Sequence, residues 1–334
     1  MESTFESPIL SAGELLWDLL PSGPRLGGTT ANFAILSARL GNYVSLITRI
    51  GKDQFGRRAM DQLELLNEST LTPGHFDLSR IQRSEYLPTG TVSVTLDETG
   101  RPHYTIDNPV AWDEILLSQS LLDAAGTASA ICFGTLAQRD NLSRQSIRAI
   151  VEATSPDCVR VCDVNLRMPF CSPETLQWCL KHATVLKISE EELPTVGHLL
   201  NIQPAFAEST GSLDRWSLTD WALDAAHVLL TAAPACRMVA ITLGPHGSLL
   251  VDRRRYHRHA GFAVKVADTI GAGDAFTAGM LHAHMRGASL EQINTVSNLC
   301  GSYVASQPGA TPELPQELFA EIQTALAGAP VYTS

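Results

Sequence analysis

Short, nearly uninterrupted apolar runs alternate with segments of helical periodicity over most of the chain. The runs Ile9–Ala12, Val44–Ile50, Ala130–Phe133, Val159–Val164, Thr184–Ile188 and Met238–Leu243 are rich in Val, Ile and Leu, as strands covered on both faces should be. Between them, the spacing of apolar positions predicts helices over Thr30–Leu40, Gln54–Asn67, Trp112–Ala124, Leu142–Ala153, Pro173–His182 and Leu218–Ala233. Such alternation predicts an α/β fold, a doubly wound and mostly parallel sheet with helices on both faces.

One region breaks this rhythm. Thr91–Leu96 and Pro102–Ile106 alternate like half-exposed strands around Asp97-Glu98-Thr99-Gly100, a hairpin turn signal. With the extended piece Leu15–Leu20 they are expected to form a small separate sheet. A second hairpin is expected from Ser248–Asp252 and Tyr256–His259, with Arg253-Arg254-Arg255 as its solvated turn. Gly197–Thr219 is polar, holds Pro204 and Gly211, and is expected to be a long surface loop.

Composition narrows the function. Of 334 residues, 44% are apolar, enough for a sizeable core, and 24 Lys and Arg face 35 Asp and Glu, a net charge of −11. So acidic a chain is a poor binder of nucleic-acid backbones. An anionic small ligand stays open, because backbone N–H groups hold phosphate without Lys or Arg. The first apolar stretch, Ile9–Leu20, carries Glu14 and Asp18 and follows no basic segment, so no targeting leader is expected. No uncharged apolar run reaches about 18 residues, so no membrane span is expected either. The seven cysteines are odd in number and form no CxxC pair. They are expected to be reduced, mostly buried thiols of a cytoplasmic protein.

The strongest chemical signal is Asp268-Thr269-Ile270-Gly271-Ala272-Gly273-Asp274-Ala275-Phe276. Glycines ahead of a helix let backbone N–H groups converge, and the helix N-terminus adds about half a positive charge. Gly271, Ala272 and Gly273 therefore make an anion hole, with Asp274 in the first turn. From local physics Asp274 is equally a general base for a hydroxyl attacking phosphorus or a simple helix cap. The P-loop, HExxH and GxSxG patterns are absent, and the third glycine of a dinucleotide fingerprint would fall on Phe276, which disfavours a dehydrogenase. His257/His259 and His282/His284 lack a third clustered ligand, so no metal is expected on them.

Residues 268–276 resemble the C-terminal signature of the ribokinase-like, or PfkB, sugar kinases. Other segments agree in order from about residue 8 to 325: Gly27-Gly28-Thr-Thr-Ala-Asn32, Gly51-Lys52-Asp53-Gln54-Phe55-Gly56, Asp163-Val-Asn165-Leu-Arg167, Thr242-Leu-Gly244-x-x-Gly247 and Pro308-Gly309-Ala310. The resemblance implies an ATP-dependent carbohydrate kinase with a β-lid over the sugar. The lid would be residues 15–25 and 85–112, and the core 1–14, 26–84 and 113–334. Asp274 would be the base, favoured over the capping alternative. Asp18, Asn32, Gly27, Gly28 and Arg167 would meet the sugar, although Arg167 also suits a surface ion pair. Asp18 has no basic neighbour in sequence. Lys187, Ser189, Thr242, Gly244, Gly247 and Asn298 would serve the nucleotide, with Asn298 near the adenine. Glu192 matches the family's Mg²⁺-organising Glu, acting through water, but Ser189 replaces the usual Asn. A monovalent cation, K⁺, would take the Asp268 side chain and the carbonyls of Ile270, Val304, Gln307 and Gly309. Association of two chains through the lid is also expected.

Gly13-Glu14 with Asp18, Pro88-Thr89-Gly90-Thr91 and Ala111-Trp112-Asp113 look most like the bacterial fructokinase branch. Ribose, another neutral sugar or a nucleoside is the alternative. A keto-deoxy acid such as 2-keto-3-deoxygluconate would favour lid arginines, which here are only Arg25 and Arg101. A catalytically silent sugar- or nucleotide-binding regulator is a rival from another class. It is disfavoured by the intact Asp274 and its glycines.

Overall fold

The computed structural model describes residues 7–69, 76–96, 102–202 and 215–328. Arg101, the turn Asp97–Gly100, Pro204 and Gly211 lie outside the described residues. The chain divides into two compact units between Cys158 and Val159. The first contains, in order, β1 (Ile9–Ala12), β2 (Leu16–Leu20), β3 (Gly23–Gly27), α1 (Thr29–Arg39), β4 (Val44–Gly51), α2 (Gln54–Ser69), β5 (Phe76–Asp77), β6 (Ile81–Ser84), β7 (Gly90–Leu96), β8 (Pro102–Ile106), α3 (Gln119–Thr127), β9 (Ala130–Gly134) and α4 (Asn141–Glu152). The second contains β10 (Val159–Asp163), α5 (Pro173–His182), β11 (Val185–Ser189), α6 (Leu193–Leu200), α7 (Arg215–Ala232), β12 (Met238–Thr242), β13 (Ser248–Asp252), β14 (Tyr256–His259), α8 (Ala272–His284), α9 (Leu290–Ala305) and α10 (Gln316–Ala327).

In the first unit β1 pairs in parallel with β9 and β4, and β5 and β6 both lie parallel on β4. Every residue of β1, β4 and β9 is buried, which explains their unbroken apolar runs. A separate small sheet runs β3-β2-β7-β8, antiparallel at β2–β3 and β7–β8 and parallel at β2–β7. In the second unit β10, β11 and β12 are parallel, and the β13–β14 hairpin extends them antiparallel. The structure is thus mixed α/β, mostly parallel, with a second small sheet, as the sequence pattern predicts. Helix starts follow their capping chemistry. Ser172 Oγ accepts from Thr175 N with Pro173 next in line, and Ser289 and Gln292 form a reciprocal capping box on α9. All seven cysteines are buried and free. Among the described residues, no helix is long and apolar enough to cross a membrane.

Two expectations are corrected, and one strand was not anticipated. The helix expected over Trp112–Ala124 is a short 3-10 turn, Ala111–Glu114, followed by α3 from Gln119. Asp113 caps the turn by accepting from Val110 N at 2.9 Å, while Ser143 accepts from Ile115 N and donates to Trp112 O, both at 2.7 Å, taking backbone groups that a continuing helix would use. The expected loop Gly197–Thr219 is helical at both ends, in α6 and α7. Buried Leu193, Val196 and Gly197 continue the α6 face until Asn201 ends it in a left-handed conformation, φ 55°. The Gly- and Pro-containing segment of β3 forms an unexpected edge strand, a position where Pro24 costs no ladder bond.

Candidate active site

The signature glycines start α8. Gly271 is its N-cap in a left-handed conformation, φ 80°, and a Cβ there would lie 2.3 Å from Ala310 O. Only glycine lets the 308–310 turn fold onto the helix start. Ala272 N donates to Thr269 O at a long 3.3 Å, and Asp274 stands in the first turn. Beside it is a buried cation that the sequence reading placed with the nucleotide. Lys187 Nζ lies 3.2 Å from where a Cβ on Gly273 would stand, so the bare Gly273 Cα leaves it room. Lys187 is paired with Asp163 at 3.1 Å, and the other Asp163 oxygen is 2.9 Å from the Thr277 hydroxyl, one turn along α8. Burial alone would push the Lys187 pKa down, but the carboxylates of Asp163, Glu192 and Asp274 outweigh it and raise it, so the ammonium stays charged. The helix N-terminus and this ammonium make one positive pole.

The pole opens on a cavity of about 590 Å³, large enough for a nucleotide. Ser189, Thr242, Gly244, Gly247 and Asn298, all expected at the nucleotide, line it together with Ala272 and Gly273. Asn298 does so with its amide nitrogen turned inward, 2.7 Å from Ser248 Oγ and from Asn294 O, so its donors brace the wall. The cavity is also lined by Phe262, Val264 and Val266, which sequence reasoning missed. Their signal was an apolar alternation outside any strand, left 40%, 38% and 59% exposed. Glu190 was missed as well. It is half-buried in the cavity wall, and its pKa is raised mainly by burial, against the pull of His246 and Arg258.

Glu192 holds a junction. Its two oxygens accept from Leu166 N and Ser189 N, tying the end of β10 to the end of β11. Asn165, between them, is left-handed at φ 35°. Asn165, Arg167, Lys187, Ser189, Glu191 and Glu192 share a polar cavity of about 380 Å³. Arg167 is exposed there and donates to Leu166 O at 2.9 Å. Beside the two cations, Ser189, Glu191 and Glu192 offer oxygen ligands, and Glu192 keeps lone pairs beyond its two N–H bonds. That fits a Mg²⁺ ion that retains its waters. Among the described residues no group of three or more His, Cys, Asp or Glu could grip a metal directly. On the other side of the anion hole, Asp268 bridges Ile270 N at 3.0 Å and Gly309 N at 3.3 Å, and Gln307 N donates to Val304 O at 3.0 Å. The structure therefore brings Asp268, Ile270 and Gly309 together.

Of the expected sugar residues, Asp18, Gly27, Gly28 and Asn32 lie in the first unit, and Arg167 lies in the second. Trp17 is fully buried and donates from Nε1 to Phe55 O at 3.1 Å, fixing β2 on α2. Strand alternation turns Asp18 to the opposite face of the small sheet. There a Cβ on Gly27 would lie 2.5 Å from Asp18 Oδ2, so the glycine's first service is room for this carboxylate. Arg25 stands directly opposite Asp18 in the β2–β3 register, a basic neighbour the sequence order hid. Gly28, φ 102°, is the N-cap of α1, and a Cβ there would meet Glu14 O at 2.6 Å. Buried Glu14 also accepts from Thr29 N at 2.9 Å and from the Thr30 hydroxyl at 2.7 Å. Gly28 and Asn32, whose amide donates to Gly28 O at 2.8 Å, are thereby held in one turn.

Comparison with known proteins agrees with this arrangement. The model of the pfkB family carbohydrate kinases matches residues 24–317. A putative sugar kinase of Pyrococcus horikoshii is 28% identical over 321 residues, covering 90% of this chain and 91% of its own. Its crystal structure superposes with a TM-score of 0.75 at 25% identity, over 96% of this chain and 100% of that one. Its complex with ATP gives 0.71 at 27% identity, over 93% and 99%. The fructokinase of Salmonella typhimurium is 29% identical over 323 residues, 91% of this chain and 95% of its own. A Vibrio cholerae fructokinase structure with fructose, ADP and calcium gives a TM-score of 0.71 at 25% identity, over 96% and 99%.

Proposed function

The chain belongs to the pfkB family of carbohydrate kinases, and from that premise we propose that it phosphorylates fructose to fructose 6-phosphate at the expense of ATP. The observation that carries the reading is the α8 start, where Ala272 and Gly273 line a nucleotide-sized cavity, the Lys187 ammonium lies beside Gly273, and Asp274 stands in the same first turn. Asp274 takes the proton from the acceptor hydroxyl, whose oxygen then bonds to the terminal phosphorus as the bond to ADP breaks. The α8 N–H groups and Lys187 hold the charge that builds on the transferred group. Glu192, Ser189 and Glu191 would hold Mg²⁺ through water, and the ion supplies further charge neutralisation when bound. Asp268 with the carbonyls of Ile270, Val304, Gln307 and Gly309 would hold K⁺.

Asp18 and Asn32 bind sugar hydroxyls in this reading, Gly27 and Gly28 give them space, and residues 15–25 and 85–112 act as lid. Arg167 serves the sugar or the phosphate. Fructose is favoured over an acidic sugar because the described lid arginine, Arg25, faces Asp18, which offsets its charge. Relatives named fructokinase, 29% identical in Salmonella typhimurium and in Escherichia coli, point the same way. The test is ADP release over fructose, ribose, glucose, tagatose, 2-keto-3-deoxygluconate and adenosine. Fructose should give the highest kcat/KM. Tenfold faster turnover of an acidic sugar or a nucleoside would replace the substrate assignment.

A further inference from the structure

The nucleotide cavity carries a charge that triphosphate binding leaves without a purpose. Glu190 lines its wall, with Oε1 3.5 Å from where a Cβ on Gly244 would stand. The pole at the α8 start lies at Gly273 and Lys187, while the cations near Glu190 are His246 and Arg258, which offset part of its charge. Phosphates are drawn to that pole and repelled by a carboxylate. Of the parts of a nucleotide, the ribose is the one a carboxylate meets favourably, because its hydroxyls donate hydrogen bonds that a carboxylate accepts strongly.

The layout agrees. Glu190 opens the short 3-10 turn Glu190–Glu192 that directly follows β11, three residues on from Lys187. The Gly244 turn next to Glu190 continues to Gly247, whose Cα packs on the backbone of Gly261, and Phe262 and Val264 of the apolar wall come next. Pole, carboxylate and apolar wall thus follow in the order phosphate, ribose, base.

We propose that Glu190 accepts a hydrogen bond from a ribose hydroxyl of the phosphoryl donor and thereby selects ribonucleotides over deoxyribonucleotides. This rests on the kinase reading above. Steady-state rates at saturating sugar with ATP, 2′-deoxyATP and 3′-deoxyATP, together with calorimetric binding of the corresponding diphosphates, test it. For the wild type at least one deoxy analogue should lose about ten- to a hundredfold in kcat/KM, the range for a hydrogen bond to a charged group. Glu190→Ala should bring ATP down to that analogue and leave the analogue unchanged. Glu190→Gln, which keeps an acceptor, should retain part of the preference. Equal use of all three by the wild type, or an equal loss on all three in Glu190→Ala, overturns the proposal while the kinase reading stands. Failure to bind or turn over any nucleotide overturns both.

Discussion

At the scale of single residues, two glycines and a lysine do work that their neighbours define. Gly27→Ala places a methyl 2.5 Å from Asp18 Oδ2, and the carboxylate, as the flexible partner, must swing away. The variant should fold and keep its KM for ATP, while KM for the sugar rises tenfold or more. An unchanged sugar KM places Asp18 outside the sugar site. Lys187→Met strands Asp163 in the interior, where breaking a buried pair costs about 3–5 kcal/mol. Thermal unfolding should register that loss. The Lys187→Met/Asp163→Leu double variant should recover much of the stability and none of the turnover. Recovery of turnover as well would make Lys187 purely structural. The Asp274 cluster was legible in the sequence because its spacing is local. The Arg25–Asp18 pairing, the Lys187–Gly273 approach and Glu190 were not, since each depends on strand register or on a turn packed against another strand.

At the scale of elements, the segment Gly51–Gly56 shows how a motif can be structural. Asp53 starts α2, accepting from Gly56 N at 2.7 Å, and it also accepts from Thr89 N and the Thr89 hydroxyl, both at 2.7 Å. A Cβ on Gly56 would lie 2.0 Å from Gly51 O, so the glycine lets α2 close on the end of β4. One carboxylate thus joins β4, α2 and the approach to β7. Burial pushes the Asp53 pKa up, but the Gly56 and Thr89 hydrogen bonds and the Arg57 charge outweigh it, and the net shift is downward. A depressed carboxylate stabilises the fold above its unfolded pKa, and the contribution is lost as pH falls through the folded value. Wild type should therefore lose stability below about pH 4, and Asp53→Ala, which removes the cap at a cost of about 0.5–2 kcal/mol, should lose less over that range. Identical acid sensitivity in denaturant titrations of the two would contradict this role. The same scale explains the failed helix over Trp112–Ala124: periodicity was present, but Ser143, 28 residues on from Ile115, took the Ile115 N–H and the Trp112 carbonyl, and nothing in the local pattern reported it.

At the scale of the whole molecule, the alternation of apolar runs and helical periods was enough to read a mostly parallel α/β chain with a small extra sheet, because buried parallel strands announce themselves as continuous hydrophobic runs. The edge strand β3 was not legible in the sequence, because Gly and Pro are poor strand formers and β3 holds Gly23, Pro24 and Gly27. Association through the small sheet predicts a particle of twice 36.1 kDa in sedimentation equilibrium, and a monomer at micromolar concentration would contradict it. The central claim, phosphoryl transfer from ATP to a sugar hydroxyl with Asp274 as base, is tested most directly by ³¹P NMR of the protein with MgATP and fructose. Wild type should convert the terminal phosphate signal of ATP into one sugar phosphate resonance with stoichiometric ADP. Asp274→Asn, folded and binding ATP normally, should do so about 10²–10⁴ times more slowly, the range expected for loss of a general base. Free inorganic phosphate in place of a sugar ester, or an Asp274→Asn rate above about a tenth of wild type, would contradict the account.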